Sequence, residues 1–266
     1  MRNIKTVLLT LYDRRHVIGA MARRELGARY AGTLGGIVWV VAQPLATVFV
    51  FWFVFSFGFK ATGPSGAPFI LYFLCGYVPW LFFNEVLDRS VNGVVGNSHL
   101  VKKIAFPTEV IPIVYAVVAL VPHAFLVMVL LFLSEINGFY ISVHSIQIIY
   151  YLFCLCIFSL GVSWILAALN VFHRDVAQMA AVFLNLWFWM TPIVWGASII
   201  PERYRWILDL NPILYVINGY RSALIYQKWD ILNLKITIYY WAVSAILFLI
   251  GYFVFHRLKD EFGDVL

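Results

Sequence analysis

The chain has 266 residues, 63% of them hydrophobic and only 12% charged, with a mean hydropathy of +0.87. So little charge cannot coat a water-soluble globule of this size, which excludes a soluble fold. A net charge of +6 has no soluble basic face to occupy, so it reads as a topology signal and excludes a nucleic-acid binder.

The first 29 residues form a basic, amphipathic stretch with no cleavable signal-peptide pattern. Ile4, Val7, Leu8 and Leu11, then Ile18, Met21, Ala22 and Leu26, follow helical spacing, with Arg and Lys at other positions. Such a helix lies along a membrane surface. A basic flank that only sets topology is the competing reading.

Six stretches free of Asp, Glu, Lys and Arg follow: residues 30–59, 61–84, 110–134, 136–173, 176–201 and 236–256. Each holds the ~20 apolar residues that cross the hydrocarbon layer as a helix. The expectation is an all-α membrane protein, a single transmembrane domain over 1–266. It comprises an interfacial helix (1–29), a six-span region (30–256) and a cytoplasmic tail (257–266). With the N-terminus inside, 13 of the 19 Lys and Arg residues fall on the cytoplasmic side, so both termini are expected there.

The connections differ. Residues 85–109 form a long inner connection, and residues 170–176 a tight inner turn. The outer segment 198–235 is rich in apolar residues. Pro201 suits the first turn of one short helix, and Asn211-Pro212 reads as N-cap and N1 of another. The first carries Tyr204, Trp206, Leu208 and Leu210; the second carries Ile213, Leu214, Val216, Ile217, Tyr220 and Arg221. This much apolar surface suggests two short helices dipping into the outer leaflet before the last span. A folded cap on the outer surface is the alternative.

Catalytic patterns are missing. The chain has no H-E-x-x-H, no G-x-S-x-G and no Gly-Lys dipeptide, so a phosphate-binding loop is excluded. If ATP drives this protein, another polypeptide hydrolyses it. His123, after Pro122, reads as a packing or hydrogen-bonding residue. Glu85 and Asp88, at the inner end of span two, are placed to contact cytoplasmic groups. Cys75, Cys154 and Cys156 lie in apolar stretches and suit neither disulfides nor a metal site.

Two cytoplasmic stretches carry a resemblance. Arg24-Glu25-Leu26-Gly27-Ala28-Arg29-Tyr30-Ala31-Gly32-Thr33-Leu34-Gly35-Gly36, leading to Trp39 and Pro44, resembles the R-E-L-x-x-R-Y-x-x-(S/T)-x-L-G entry to span one of polysaccharide-exporting ABC-2 permeases. Residues 97–112, with Asn97-Ser98, Leu100-Val101-Lys102-Lys103, Phe106-Pro107 and Pro112, resemble their N-S-x-L-(I/V)-K-K-x-x-F-P-R-E-x-(I/L)-P loop. Residues 170–176, Thr191-Pro192-Ile193, Asn211-Pro212 and Tyr220-Arg221 add weaker echoes, so the likeness covers the whole chain. Thr108 departs from the arginine expected after Phe-Pro, which puts a charge contact there in doubt. Gly35 beside Gly36 is less bulky than the pattern and is expected to loosen the start of span one.

The resemblance implies the membrane subunit of an ATP-driven exporter of lipid-linked polysaccharide, O-antigen first, in the bacterial cytoplasmic (inner) membrane. Teichoic acid, capsule or a small molecule are alternative cargoes. An ion-coupled secondary transporter is the rival class, which the lack of carboxylates in the spans disfavours. It further implies a homodimer with a channel between the copies, over two ATP-binding subunits that use ATP and Mg; this chain itself binds no cofactor or metal. Membrane lipid is the remaining partner.

Three residue sets follow. Asn97, Leu100, Val101, Lys102, Lys103, Ile104, Phe106 and Glu109 belong to the coupling segment that docks on the ATPase. Leu100, Val101, Ile104 and Ala105 share one side of a short helix ended by Pro107. Taken alone that helix could as well rest on anionic lipid through Lys102 and Lys103; the resemblance puts docking ahead. Arg23, Arg24, Arg29 and Tyr30 are substrate-entry candidates at headgroup depth, since arginine grips phosphate bidentately. Glu25 and Arg29 also form an i,i+4 pair of the favourable order. Tyr204, Trp206, Tyr215, Tyr220 and Arg221 are candidates for an outer gate. Phe49, Phe51, Trp52, Phe53, Phe55, Tyr72, Phe73, Trp80, Phe82 and Phe83 of spans one and two are candidates to stack on sugar rings, and the sequence does not choose among them.

Overall fold

The computed structural model describes residues 14–29, 32–102 and 106–266. Ile4, Val7, Leu8, Leu11, Tyr30, Lys103, Ile104 and Ala105 lie outside the described residues. The fold is all-α. The helices are α1 Arg15–Arg29, α2 Trp39–Trp52 (continued by a π-helical turn, Phe53–Gly58), α3 Phe69–Gly96, α4 Ser98–Val101, α5 Ile111–Ile136, α6 Gln147–Phe172, α7 Asp175–Met190, α8 Trp206–Asp209, α9 Pro212–Arg221, α10 Leu234–Leu258 and α11 Phe262–Val265. Among the described residues, five helical segments are long and apolar enough to cross a membrane: Trp39–Gly58, Phe69–Gly96, Thr108–Ile136, Val143–Phe172 and Leu234–Val265. This is a multi-pass membrane protein.

The stretch 176–201 departs from a simple sixth span. α7 has 16 residues, about 24 Å, less than the ~30 Å of a hydrocarbon core. It ends at Thr191-Pro192, because proline cannot continue the ladder. The chain nevertheless returns between α6 and α10, which run parallel. Phe153 meets Trp241, and Trp164 meets Phe248 and Tyr252. The return is shared by α7 and the segment that follows it.

α3 is the central helix, with 20 buried residues over its 28. It pairs antiparallel with α5, through Phe82–His123 and Asn97–Tyr115, and parallel with α6, through Phe83–Phe158. α7 lies antiparallel to α3, with Trp80 beside Trp187 and Phe188. α2 leans on α3 through stacked rings, Phe51–Phe73 at 4.9 Å and Phe55–Phe69 at 5.1 Å, and leaves most of its surface exposed. The start of span one is a 3-10 turn at Gly36–Val38, where Gly36 adopts φ +48°, a region that disfavours any other residue.

The apolar stripe of α1 finds a protein partner. Met21 and Ala22 are buried against Val110, Val114 and Val118 at the start of α5, with Ile18, Leu26, Leu100 and Phe106 around them. The described part of this helix therefore packs on its own chain instead of offering that whole face to lipid.

The segment 198–235 folds back into the helical core. The first short helix shrinks to a 3-10 turn, Glu202–Tyr204, and the four-residue α8. Asn211 caps α9 as its type predicts, its Oδ1 accepting from the Ile213 amide at 3.1 Å. The same Asn211 reaches the end of α7: Trp187 Nε1 donates to its Oδ1 at 3.1 Å, and its Nδ2 donates to Thr191 Oγ1 at 2.9 Å. After α9 the chain reaches the start of α6, where Gln147 Nε2 donates to the Lys228 carbonyl at 2.9 Å. Almost every α9 side chain is buried, so it is part of the core and not a surface cap.

Candidate functional site

Three adjoining clefts run along one face of α3, and Asp88 lines all of them. The inner cleft, of about 550 Å³, lies among Arg24, Glu25, Arg89, Asn92, Asn97, His99 and Tyr115. A second, of about 260 Å³, is bounded by Arg29, Gln43, Thr47, Tyr77, Asn84 and Glu85. The third, of about 430 Å³, passes between Thr47 and Phe51 of α2, Tyr77, Trp80 and Asn84 of α3, and Asn185 and Phe188 of α7. The spacing explains the alignment. Residues 77, 81, 84, 88 and 92 are three or four apart and fall on one side of a helix.

Together they make a groove that changes character with depth. Its inner end carries arginine and carboxylate, and its middle carries amides, hydroxyls and aromatic rings. Asn185 is exposed on α7, ten residues or about 15 Å from the start of that helix. Gln43 and Asp88 are also exposed. Hydrocarbon satisfies none of these groups, so the groove is built to face something polar.

The inner end is held by cross-chain polar contacts. Arg29 is paired with Glu85, and Arg89 Nε stands 3.5 Å from the same carboxylate. The i,i+4 spacing predicts Glu25 as the partner of Arg29. The structure gives Arg29 to Glu85 and places Glu25 3.2 Å from Arg24, because the end of α1 sits beside α3. Arg24 Nη2 also donates to Asn97 Oδ1 at 2.8 Å. Arg24, Arg29 and Arg89 thus surround the inner clefts, whereas Arg23 is exposed on α1 and does not line them.

The coupling segment divides in two. α4 covers Ser98–Val101, with Lys102 exposed after it, and Ile104 and Ala105 of the helix read from the sequence lie outside the described residues. Leu100 and Phe106 are half-buried against the Met21 cluster, and Val101 packs on a cluster around Trp164 and Phe262. Asn97 is buried, its Nδ2 donating to the Gly93 carbonyl and to Tyr115 Oη, so it anchors the segment from within. Glu109 sits 3.8 Å from Lys259, and its carbonyl accepts from Trp164 Nε1 at 3.1 Å.

The outer-gate candidates also divide. Tyr204 and Trp206 are exposed. Tyr215, Tyr220 and Arg221 lie in the packed interior: Tyr220 Oη is 3.1 Å from His123 Nε2, and Tyr215 Oη is 3.1 Å from Tyr150 Oη. Arg221 stacks 3.7 Å over Tyr72 and donates to the Pro192 carbonyl at 2.6 Å, which clamps the end of α9 to α3. Sequence reasoning passed over Asn84, Asn185 and Asn170. Asn170 donates to the Val91 carbonyl at 2.9 Å and caps α7 by accepting from the Ala177 amide at 3.1 Å. A lone amide in an apolar stretch was the available signal for all three.

The sequence matches the ABC-2 type transporter family over residues 16–225. It is 26% identical over 249 residues to an O-antigen export system permease protein, RfbA, of Klebsiella pneumoniae, covering 92% of this chain and 93% of that one. The RfbA of Myxococcus xanthus is 25% identical over 256 residues, 96% of each chain. The polysialic acid transport protein KpsM of Escherichia coli is 21% identical over 207 residues, covering 77% of this chain and 80% of the other. With the family match spanning α1 to the end of α9, the chain belongs to the ABC-2 type transporter membrane family.

Proposed function

We propose that this chain is the permease subunit of an exporter that moves lipid-linked polysaccharide across the bacterial inner membrane. The groove along α3 carries this reading. Amides and hydroxyls at Gln43, Thr47, Asn84 and Asn185 match a neutral glycan, and Phe51, Trp80 and Phe188 offer faces for sugar rings. Arg24, Arg29 and Arg89 stand at the inner end, where a diphosphate headgroup enters. The names of the O-antigen and polysialic acid relatives point to polysaccharide as the cargo, and the second of these is an anionic one.

The groove is open on one side, so its polar groups face hydrocarbon unless a second copy closes it. The reading therefore takes a homodimer with the path between the protomers. Energy comes from a separate cytoplasmic ATP-binding subunit seated on the coupling segment, two per dimer, with ATP and Mg bound there. Both termini lie in the cytoplasm.

The test is steric. Asn185→Trp fills the groove without touching the coupling segment. The complex should assemble and hydrolyse ATP while glycan export falls at least tenfold. Normal export from Asn185→Trp and from Asn84→Leu would place the path elsewhere.

A further inference from the structure

Phe262 is the fully buried residue of a C-terminal turn whose neighbours Asp260, Glu261, Gly263 and Asp264 are exposed. Its ring stands edge-on to Phe255 at 5.3 Å and tilted against Phe172 at 6.1 Å. The cluster around it gathers Val94 from the end of α3, Ile111 from the start of α5 and Val171 from the end of α6, with Val101 and Phe106 of the coupling segment against it. α11 accordingly touches both α4 and the inner part of α6. A second tie joins the same turn to the same segment, Lys259 Nζ to Glu109 Oε2 at 3.8 Å. The connection before α5, through Val101 and Phe106, and the end of α6 leading into the next connection, through Val171 and Phe172, therefore lean on one side chain.

We propose that Phe262 is a positioning residue that locks these two connections into a single pose, so that displacement of the coupling segment is delivered to α6 and α10 as a unit. The physical ground is bistability. A close-packed cluster moves as a body, whereas a void at its centre lets each element shift alone. The bodies that would be moved are themselves tightly joined: a Cβ on Gly251 would sit 2.2 Å from the Gly161 carbonyl oxygen. Higher up, Tyr151 and Tyr240 pack on Tyr215 of α9, with ring centroids 5.2 and 4.6 Å apart. The cluster around Phe262 and the one around Tyr151, Tyr215 and Tyr240 are separate and meet at Leu160 of α6, so α6 and α10 themselves bridge them. The functional half of this inference rests on the docking reading given above.

Spin labels at the exposed His99 and His173 test the pose in the full chain in nanodiscs. The wild type should give one narrow distance distribution, and Phe262→Ala a broadened one. In the complex with its ATP-binding partner, Phe262→Ala should keep assembly and ATP hydrolysis, while glycan exported per ATP falls at least about fivefold, the lower end of ordinary coupling between sites. Phe262→Leu, which returns apolar bulk, should restore both readouts. An unchanged distribution, unchanged export per ATP, or a defect that leucine does not relieve each overturns the proposal. Should the alanine chain fail to accumulate, Lys259→Ala removes only the second tie. It is read by the same labels, with broadening expected and an unchanged distribution overturning the idea. A wild-type complex without ATP-driven export would instead overturn the docking reading, and the label distance would still judge Phe262.

Discussion

Arg24 Nη2 donates to Asn97 Oδ1 at 2.8 Å, joining α1 to the head of the coupling segment across 73 positions of sequence. One guanidinium therefore lines the inner cleft and fixes the element proposed to receive the ATPase. Its two roles separate by experiment. If the link to Asn97 matters, Arg24→Lys and Asn97→Ala should be non-additive in unfolding free energy, with a coupling on the order of 0.5–3 kcal/mol, and should impair export alike. If Arg24 serves headgroup capture alone, the two changes should add, and only the arginine change should lower export.

Glu85 holds Arg29 and stands within 3.5 Å of Arg89, so it is the counter-ion of the inner clefts. Glu85→Gln should destabilise the solubilised protein by roughly 1.5–3 kcal/mol, the worth of a hydrogen bond to a charged group. Glu85→Arg should be worse, and Arg29→Glu in the same chain should recover part of the loss. Thermal unfolding in detergent reads all three. No recovery in the reversed pair would show that the contact is incidental.

The approach of α6 and α10 at Gly161 and Gly251 leaves no room for a side chain, since a Cβ on Gly161 would lie 2.7 Å from the Phe248 nitrogen. Without a hydrophobic force between helices in lipid, such close backbone packing is what joins them. Gly251→Leu should therefore cost at least about 1–3 kcal/mol as overpacking, seen as a lower melting temperature. Gly263→Leu, where nothing lies within 4 Å, should be neutral.

Much of the span layout was legible because charge is so scarce that its few positions mark the helix ends. The caps were legible too: Asn211-Pro212 opens α9 as its residue types dictate. The failures share a cause. Asn97 as partner of Arg24, Glu85 of Arg29 and Lys259 of Glu109 are distant in sequence, and local spacing is blind to them. Spacing suggested Glu25 for Arg29, and tertiary packing supplied Glu85. Likewise Tyr215, Tyr220 and Arg221, read as gate candidates on a helix dipping into the outer leaflet, find their partners Tyr150, His123 and Tyr72 on other helices, which local spacing does not reveal. Of the groove only Asp88 and Glu85 were singled out from the sequence; Asn84 was passed over, and Asn185 joins it only through the antiparallel placement of α7.

Orientation gives a further expectation. With the Lys and Arg excess inside, a cysteine at Tyr204 should be labelled by an impermeant thiol reagent added outside once the outer envelope is opened. A cysteine at Gly263 should be labelled only after the inner membrane is breached. Both positions are exposed, so access is decided by sidedness. Outside labelling at Gly263 would reverse the topology.

The central claim is that this chain carries a lipid-linked glycan along its groove with energy from a partner's ATP hydrolysis. Proteoliposomes holding the purified permease, with and without its ATP-binding partner, test it most directly, loaded with a radiolabelled glycan on a lipid diphosphate. The account predicts no ATP hydrolysis by the permease alone, and ATP-dependent translocation by the complex that Asn185→Trp blocks. Translocation driven by an ion gradient without ATP, or ATP hydrolysis by the permease alone, would contradict it.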